Sequence, residues 1–231
     1  LRPLRNLRAL RVNLLTFNFL TKIKMAQLKD GKITGLVGEV VGFERNGKNY
    51  LRSAPVRTAP ATEAELKNRH LLELVSQWLK PLTPFIRKGF RNYDPNYVGF
   101  SAAFSVNYKE ALHRDGYDSY IDPPLVKVSS GDLGLPANLQ ASLEGRQLNF
   151  TWSPAVNNSM GPRDTIMLLA YDPETRQAFY ELNGPIRYHG SASLSLAPAP
   201  PGTYHLYAAF VAEEGTRQSD SAYLGIISIE Y

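Results

Sequence analysis

From residue 147 onward, apolar side chains recur at every second position in short runs separated by turn-forming residues. RQLNFTWS alternates Leu148, Phe150 and Trp152, and DTIMLLAYD, QAFYEL, SASLSLA, GTYHLYAAFV and SAYLGIISIEY follow. Period two is the mark of half-buried strands. About seven such strands in roughly 105 residues is the size of one antiparallel β-sandwich. Tyr204, Leu206, Ala208 and Phe210 line one side of a late strand entered through the tight APAPPG segment. With Trp152 closing the second strand, this pattern over residues 125–231 resembles a fibronectin type III or immunoglobulin-like domain, with Trp152 and Tyr204 as its buried tryptophan and penultimate-strand tyrosine. The likeness bears on architecture and is silent on function.

Upstream the period lengthens. Thr62 with Glu65 three residues on forms a capping box, and Leu71, Val75, Trp78 and Leu82 then follow at helical spacing. Pro81 and Pro84 end or kink this helix near Lys80. Asp94 as N-cap and Pro95 at the first position start a second helix, whose stripe of Tyr97, Phe100, Phe104, Tyr108 and Ala111 reads as a core-facing surface. Pro123, Pro124, Gly131 and Pro136 then punctuate the chain, so a boundary is expected near residue 124.

Residues 26–60 carry Gly31, Gly35, Gly38 and Gly42 among β-formers, which makes helix costly by about 1 kcal/mol per glycine. Asn46-Gly47 between EVVGFER and KNYLRS is the strongest short signal for a two-residue hairpin turn. Its register sets Arg45 against Lys48, Phe43 against Tyr50 and Val41 against Arg52. The fold class expected is therefore α+β: a β-hairpin and two-helix region over 25–124, then the β-sandwich.

The same GFERNGKN stretch has the spacing of a phosphate-binding loop, with Asn49 where a hydroxyl for magnesium is required. The run NYLRSAP that continues from it is β-like and ends at Pro55, so the helix that would receive the phosphate is missing. The hairpin is the better reading, with Asn46, Gly47, Phe43 and Tyr50 in structural roles.

The chain of 231 residues is 43% hydrophobic and 20% charged, which is enough for one large or two small cores. Its net charge of +5 is concentrated at the front, where residues 1–24 hold Arg2, Arg5, Arg8, Arg11, Lys22 and Lys24 and no acid. The remainder is near neutral, which predicts no nucleic-acid partner. The first methionine, Met25, opens an ordinary start, so residues 1–24 are read as a basic leader outside the native fold. Their apolar run is interrupted by Asn13, Thr16 and Asn18 and is too short to span a bilayer. No signal peptide or membrane span is recognised, and the compartment stays open.

No catalytic, cofactor or metal residue is nominated. Cysteine is absent, which removes thiol chemistry, and His70, His113, His189 and His205 lack ligand spacing. No G-x-S-x-G elbow occurs, and Glu213-Glu214 and Asp115 with Asp118 sit in turn-like sequence. Tyr117, Tyr120, Tyr171 and Tyr188, in or near expected loops, are the candidates for contact with a ligand or partner.

GKITGLVGEVVGFERNGKNYLRSAP, ATEAELKNRHLLELVSQWLKPLTPFIRKGF and the closing YLGIISI together resemble a bacterial family, domain of unknown function 6266, over residues 25–231. The shared features are the glycine-spaced opening, the exit at Arg52, Ser53 and Pro55, Gly89-Phe90 at a helix end, and SSGDL at Ser129 to Leu133. The resemblance supports the Met25 start and carries no activity or cofactor. The expectation is a non-enzymatic structural or interaction protein, such as an assembly or surface component, with a protein partner or a second copy. The alternative is a carbohydrate-binding or other ligand-binding accessory module using the loop tyrosines.

Overall fold

The computed structural model describes residues 27–29, 31–55, 59–93, 99–157 and 159–230. The chain divides into two compact units, residues 1–60 and 61–231. The basic leader lies outside the described residues.

In the first unit β1 (Gln27–Lys29), β2 (Lys32–Val37), β3 (Val40–Arg45) and β4 (Lys48–Ser53) form one antiparallel sheet in chain order. Asn46 and Gly47 both take positive φ, 52° and 72°, as a primed two-residue turn needs. The turn fixes the pairs Arg45/Lys48, Phe43/Tyr50 and Val41/Arg52. Phe43 and Tyr50 stack with ring centroids 5.6 Å apart. Gly42 lets β2 approach, since a Cβ there would collide with the carbonyl of Ile33. Two more strands therefore extend the expected hairpin into a sheet.

The second unit begins with helix α1 (Glu63–Leu79), whose Thr62 accepts from the Glu65 amide while the Thr62 amide donates to Glu65 Oε2 at 2.8 Å. The chain then tightens into one 3₁₀ turn at Lys80–Leu82 and resumes as α2 (Thr83–Gly89). Each proline stands at the start of a helical segment, where its missing N–H costs nothing, so the pair bends the path without stopping it. This short helix is an addition to the two expected from the sequence. Helix α3 is described from Gly99 to Glu110; the expected cap at Asp94, with Pro95 and Tyr97, lies outside the described residues. A two-stranded ribbon comes next, β5 (Leu112–His113) with β6 (Tyr120–Ile121).

The remaining strands form two antiparallel sheets. One contains β7 (Gln140–Glu144), β8 (Gln147–Thr151) and β11 (Ser191–Ser195), ordered β11-β8-β7. The other contains β9 (Thr165–Asp172), β10 (Gln177–Glu181), β12 (Gly202–Val211) and β13 (Ala222–Ile229), ordered β10-β9-β12-β13.

The central strands β9 and β12 are buried on both faces, and residue parity sorts their side chains. Ile166, Leu168 and Ala170 with Tyr204, Leu206, Ala208 and Phe210 face the three-stranded sheet and pack with Leu148, Phe150, Trp152 and Leu194. Met167, Leu169 and Tyr171 with Tyr207, Ala209 and Val211 face the helices and pack with Val75, Trp78, Leu79, Phe85 and Ile86. Each buried large apolar side chain contributes roughly 1.5–3 kcal/mol, so the helical face is a full core. Trp78 meets Tyr171 edge-on at 4.9 Å, and the Tyr207 hydroxyl donates to the Pro123 carbonyl at 2.8 Å. The result is three layers: helices, a four-stranded sheet and a three-stranded sheet. The boundary expected near residue 124 falls within this unit, because the helices before it share a core with β9 and β12 after it.

Candidate functional site

The four candidate tyrosines separate. Tyr117 lies in the turn between β5 and β6 and Tyr120 opens β6, opposite His113; they are about half exposed, at 56% and 52%. Tyr117 packs near the His70 ring, 5.8 Å between centroids, with Lys67 Nζ 5.7 Å from its own; Tyr120 lies 4.9 Å from the His113 ring. Tyr188 stands on the 3₁₀ turn Arg187–His189, 70% exposed.

Tyr171 leaves the set. It is fully buried near the end of β9, where strand parity turns it onto Trp78 rather than into a loop. Burial pushes its phenol up to about 12, and its hydroxyl has no hydrogen-bond partner among the described residues.

The polar cluster of the second unit is built around Ser129 to Leu133. The chain here threads between the end of α2 and the β12–β13 connection. Ser129 Oγ donates to the Ser219 carbonyl at 2.6 Å, with the Gly89 carbonyl 3.0 Å away, and the Ser130 amide donates to that same Gly89 carbonyl at 3.0 Å. Ser130 Oγ and the Gly131 amide both donate to Asp220 Oδ1, at 2.8 and 3.1 Å. Gln218 Nε2 returns a bond to the Ser130 carbonyl at 2.9 Å, and the Ser221 amide donates to the Ser129 carbonyl at 2.9 Å.

Glycine is required at two of these points by close approach. A Cβ on Gly131 would collide with the Gln218 carbonyl, and one on Gly89 would sit 2.8 Å from Ser129 Cβ. Gly89 and SSGDL are legible in the sequence as family features; the partner segment QSDS at Gln218 to Ser221 carries no recognisable signal. Above this clamp lies an open cleft of about 510 Å³, bordered by Asn92, Tyr93, Asp132, Thr216 and Arg217, with the Asp132–Arg217 ion pair at 3.1 Å on its rim.

At the edge of the two-sheet core sits a fully buried cation. Arg187 contacts Asp164 Oδ2 through Nε and Nη2 at 3.2 and 3.1 Å, donates to the Gly134 carbonyl at 2.9 Å, and covers the Phe210 ring at 4.1 Å. Its carbonyl accepts from Trp152 Nε1 at 2.8 Å. Burial lowers the guanidinium value and Asp164 opposes that, yet arginine stays charged. Arg187 Nη1 meets the Met160 sulfur at 3.3 Å, and the pair is a structural plug.

His205, on β12, is half-buried with the Tyr223 hydroxyl 3.0 Å from Nδ1. Burial lowers its pKa below 6.5, against a smaller raising effect of Asp172. The unfolded chain therefore binds the proton more readily. The stability contributed is complete above pH 6.5 and is lost as pH falls toward the folded value. Thermal unfolding should show a midpoint that rises with pH through this window, and His205→Gln should flatten that part of the profile.

The clamp is held by polar groups that bond one another. Among the described residues no three His, Asp or Glu side chains gather where a metal could sit. No helix among them is long and apolar enough to cross a membrane. No curated protein and no solved structure matches the chain. A family model, the family of unknown function DUF6266, matches residues 31–225, which takes in both the glycine-spaced sheet and the Ser129–Ser221 clamp, and the chain belongs to that family.

Proposed function

We propose that this chain is a non-enzymatic structural or interaction protein, an assembly or surface component of bacterial origin. The observation that carries the reading is the clamp. The residues with which the sequence marks its family, Gly89 and Ser129 to Leu133, direct their polar groups at each other and at the β12–β13 connection, a use that favours a rigid presented body over a reacting centre. The first unit adds a surface that is almost all accessible: every residue of β4 is exposed. Sedimentation of the purified chain, with cross-linking in its host, tests the reading. Self-association or a defined partner is expected, and a strictly monomeric, partnerless protein would sink it.

We further infer that the two-sheet part is fibronectin type III-like. The three-plus-four strand arrangement favours it, as does Tyr204, whose hydroxyl donates to the Pro200 carbonyl at 2.9 Å, four residues upstream, as a tyrosine corner does. Tyr204→Phe should cost about 0.5–1.5 kcal/mol in urea unfolding with the slope unchanged. No cost would remove this support.

The exposure of Tyr117, Tyr120 and Tyr188 favours a second reading, a carbohydrate-binding or other ligand-binding accessory module. Glycan-array binding lost in Tyr117→Ala or Tyr188→Ala would establish it, and a blank array would end it.

A further inference from the structure

The near-neutral charge of the chain beyond residue 24 conceals a local separation of charge in the first unit. The register of β3 with β4 sends Val41, Phe43, Arg45, Lys48, Tyr50 and Arg52 to one face. That set holds three cations, two aromatic rings and no acid. Glu44, one position along, points to the opposite face and is held by Lys32 at 3.1 Å. A sum over the sequence cancels these charges; the pleat does not.

The two rings form a platform. Phe43 and Tyr50 are nearly parallel, with an interplanar angle of 21°, and the Arg52 guanidinium lies over the Phe43 ring at 5.7 Å. Tyr50 is 45% exposed. Beside the rings, toward the hairpin turn, Phe43, Arg45, Asn46 and Tyr50 border a hollow of about 320 Å³, so an amide and a cation edge a slot next to an aromatic surface. A second copy of this face would oppose like charge to like charge, which is destabilising. An occupant that combines flat rings with a repeated negative charge fits both features at once.

We propose that the Phe43–Tyr50 face binds single-stranded nucleic acid, a base stacking on the exposed Tyr50 ring, which Phe43 backs, and backbone phosphates meeting Arg45, Lys48 and Arg52. This deepens the interaction reading by assigning one surface and one partner class. The hairpin's resemblance to a phosphate loop is unconnected with it, since the phosphates lie on side chains of a sheet and no nucleotide-cradling loop is involved. Stacking of this kind tolerates any base, so the binding is weakly selective for sequence and steeply dependent on salt.

The test is fluorescence anisotropy of a labelled mixed-sequence single-stranded 12-mer with the full chain at low salt. Tyr50→Ala should weaken binding about tenfold or more. Arg45→Gln with Lys48→Gln should flatten the slope of log affinity against log salt by about 1.4. Leu51→Thr, on the opposite face, should leave both unchanged.

Absence of binding overturns the proposal. So does binding that both face variants leave intact, which would place the affinity elsewhere, for example on the arginines of residues 1–24. Equal losses in Tyr50→Ala and Leu51→Thr overturn it too, as does a polyglutamate peptide that competes as well as the oligonucleotide. Any of these outcomes combined with persistent self-association would leave the interaction reading standing.

Discussion

Replacing Asp164 with alanine should lower the stability of the second unit by about 3–5 kcal/mol, because it leaves a buried guanidinium with no counter-charge. Arg187 has no exposed surface, and its ion-pair partner is only 5% exposed. Asp164 also accepts the Gly161 amide at 2.7 Å, so the substitution orphans a backbone donor as well. For a unit of this size the loss corresponds to roughly 6–20 °C in Tm. Asp164→Leu combined with Arg187→Met should recover part of the loss, since apolar groups of similar volume remove the desolvation cost of both charges. Urea unfolding of the single and double variants gives the comparison directly. A single variant within about 1 kcal/mol of the parent would show that water reaches Arg187 and that the plug is not sealed.

Gly131→Ala should be the second severe change, at about 2–4 kcal/mol. Its Cβ would be driven into the Gln218 carbonyl, and that backbone has nowhere to go because the neighbouring Ser219 amide and hydroxyl are bonded to the Phe210 backbone at 2.8 and 2.9 Å. Separating the strands would also strain the Ser130 and Gly131 bonds to Asp220. The cost therefore comes from a collision plus lost hydrogen bonds in one clamp. Gly145→Ala supplies a contrast: its φ of 60° strains any side chain, but nothing lies within 4 Å of the added methyl. That variant should cost only about 1 kcal/mol. Equal effects at both glycines would mean that backbone preference, and not close approach, governs Gly131.

The range of each interaction decided whether the sequence disclosed it. Local rules were legible: Asn46-Gly47 dictates a primed turn and with it the Phe43/Tyr50 pair, and Thr62 with Glu65 caps a helix. Period two located the strands. The covering of β9 and β12 on both sides is a long-range fact, written in β9 as the unbroken apolar run of Ile166 to Tyr171, every residue of which is buried. An uninterrupted apolar run marks a strand buried on both faces. That signal moves Tyr171 from a loop into the core and joins the helices to the sheets.

Arg187 and the QSDS segment were beyond reach for a different reason. A buried arginine looks like any surface arginine until Asp164, 23 residues away, is seen beside it. The clamp likewise brings Ser129 to Ser219 across 90 residues. In the first unit the register was legible while its consequence was not, because summing charge discards the face on which each charge stands.

Helices and both sheets of residues 61–231 should behave as one cooperative body, locked by the Ser129–Ser221 clamp. The chain's two tryptophans report on it separately: Trp78 lies in the helix–sheet core and Trp152 in the core between the sheets. Urea unfolding followed by fluorescence of the Trp78→Phe and Trp152→Phe variants should give superimposable transitions, each normalised to its own stability and matched by the loss of helical circular dichroism. A Trp78 transition that precedes the Trp152 transition, with helix lost first, would contradict it.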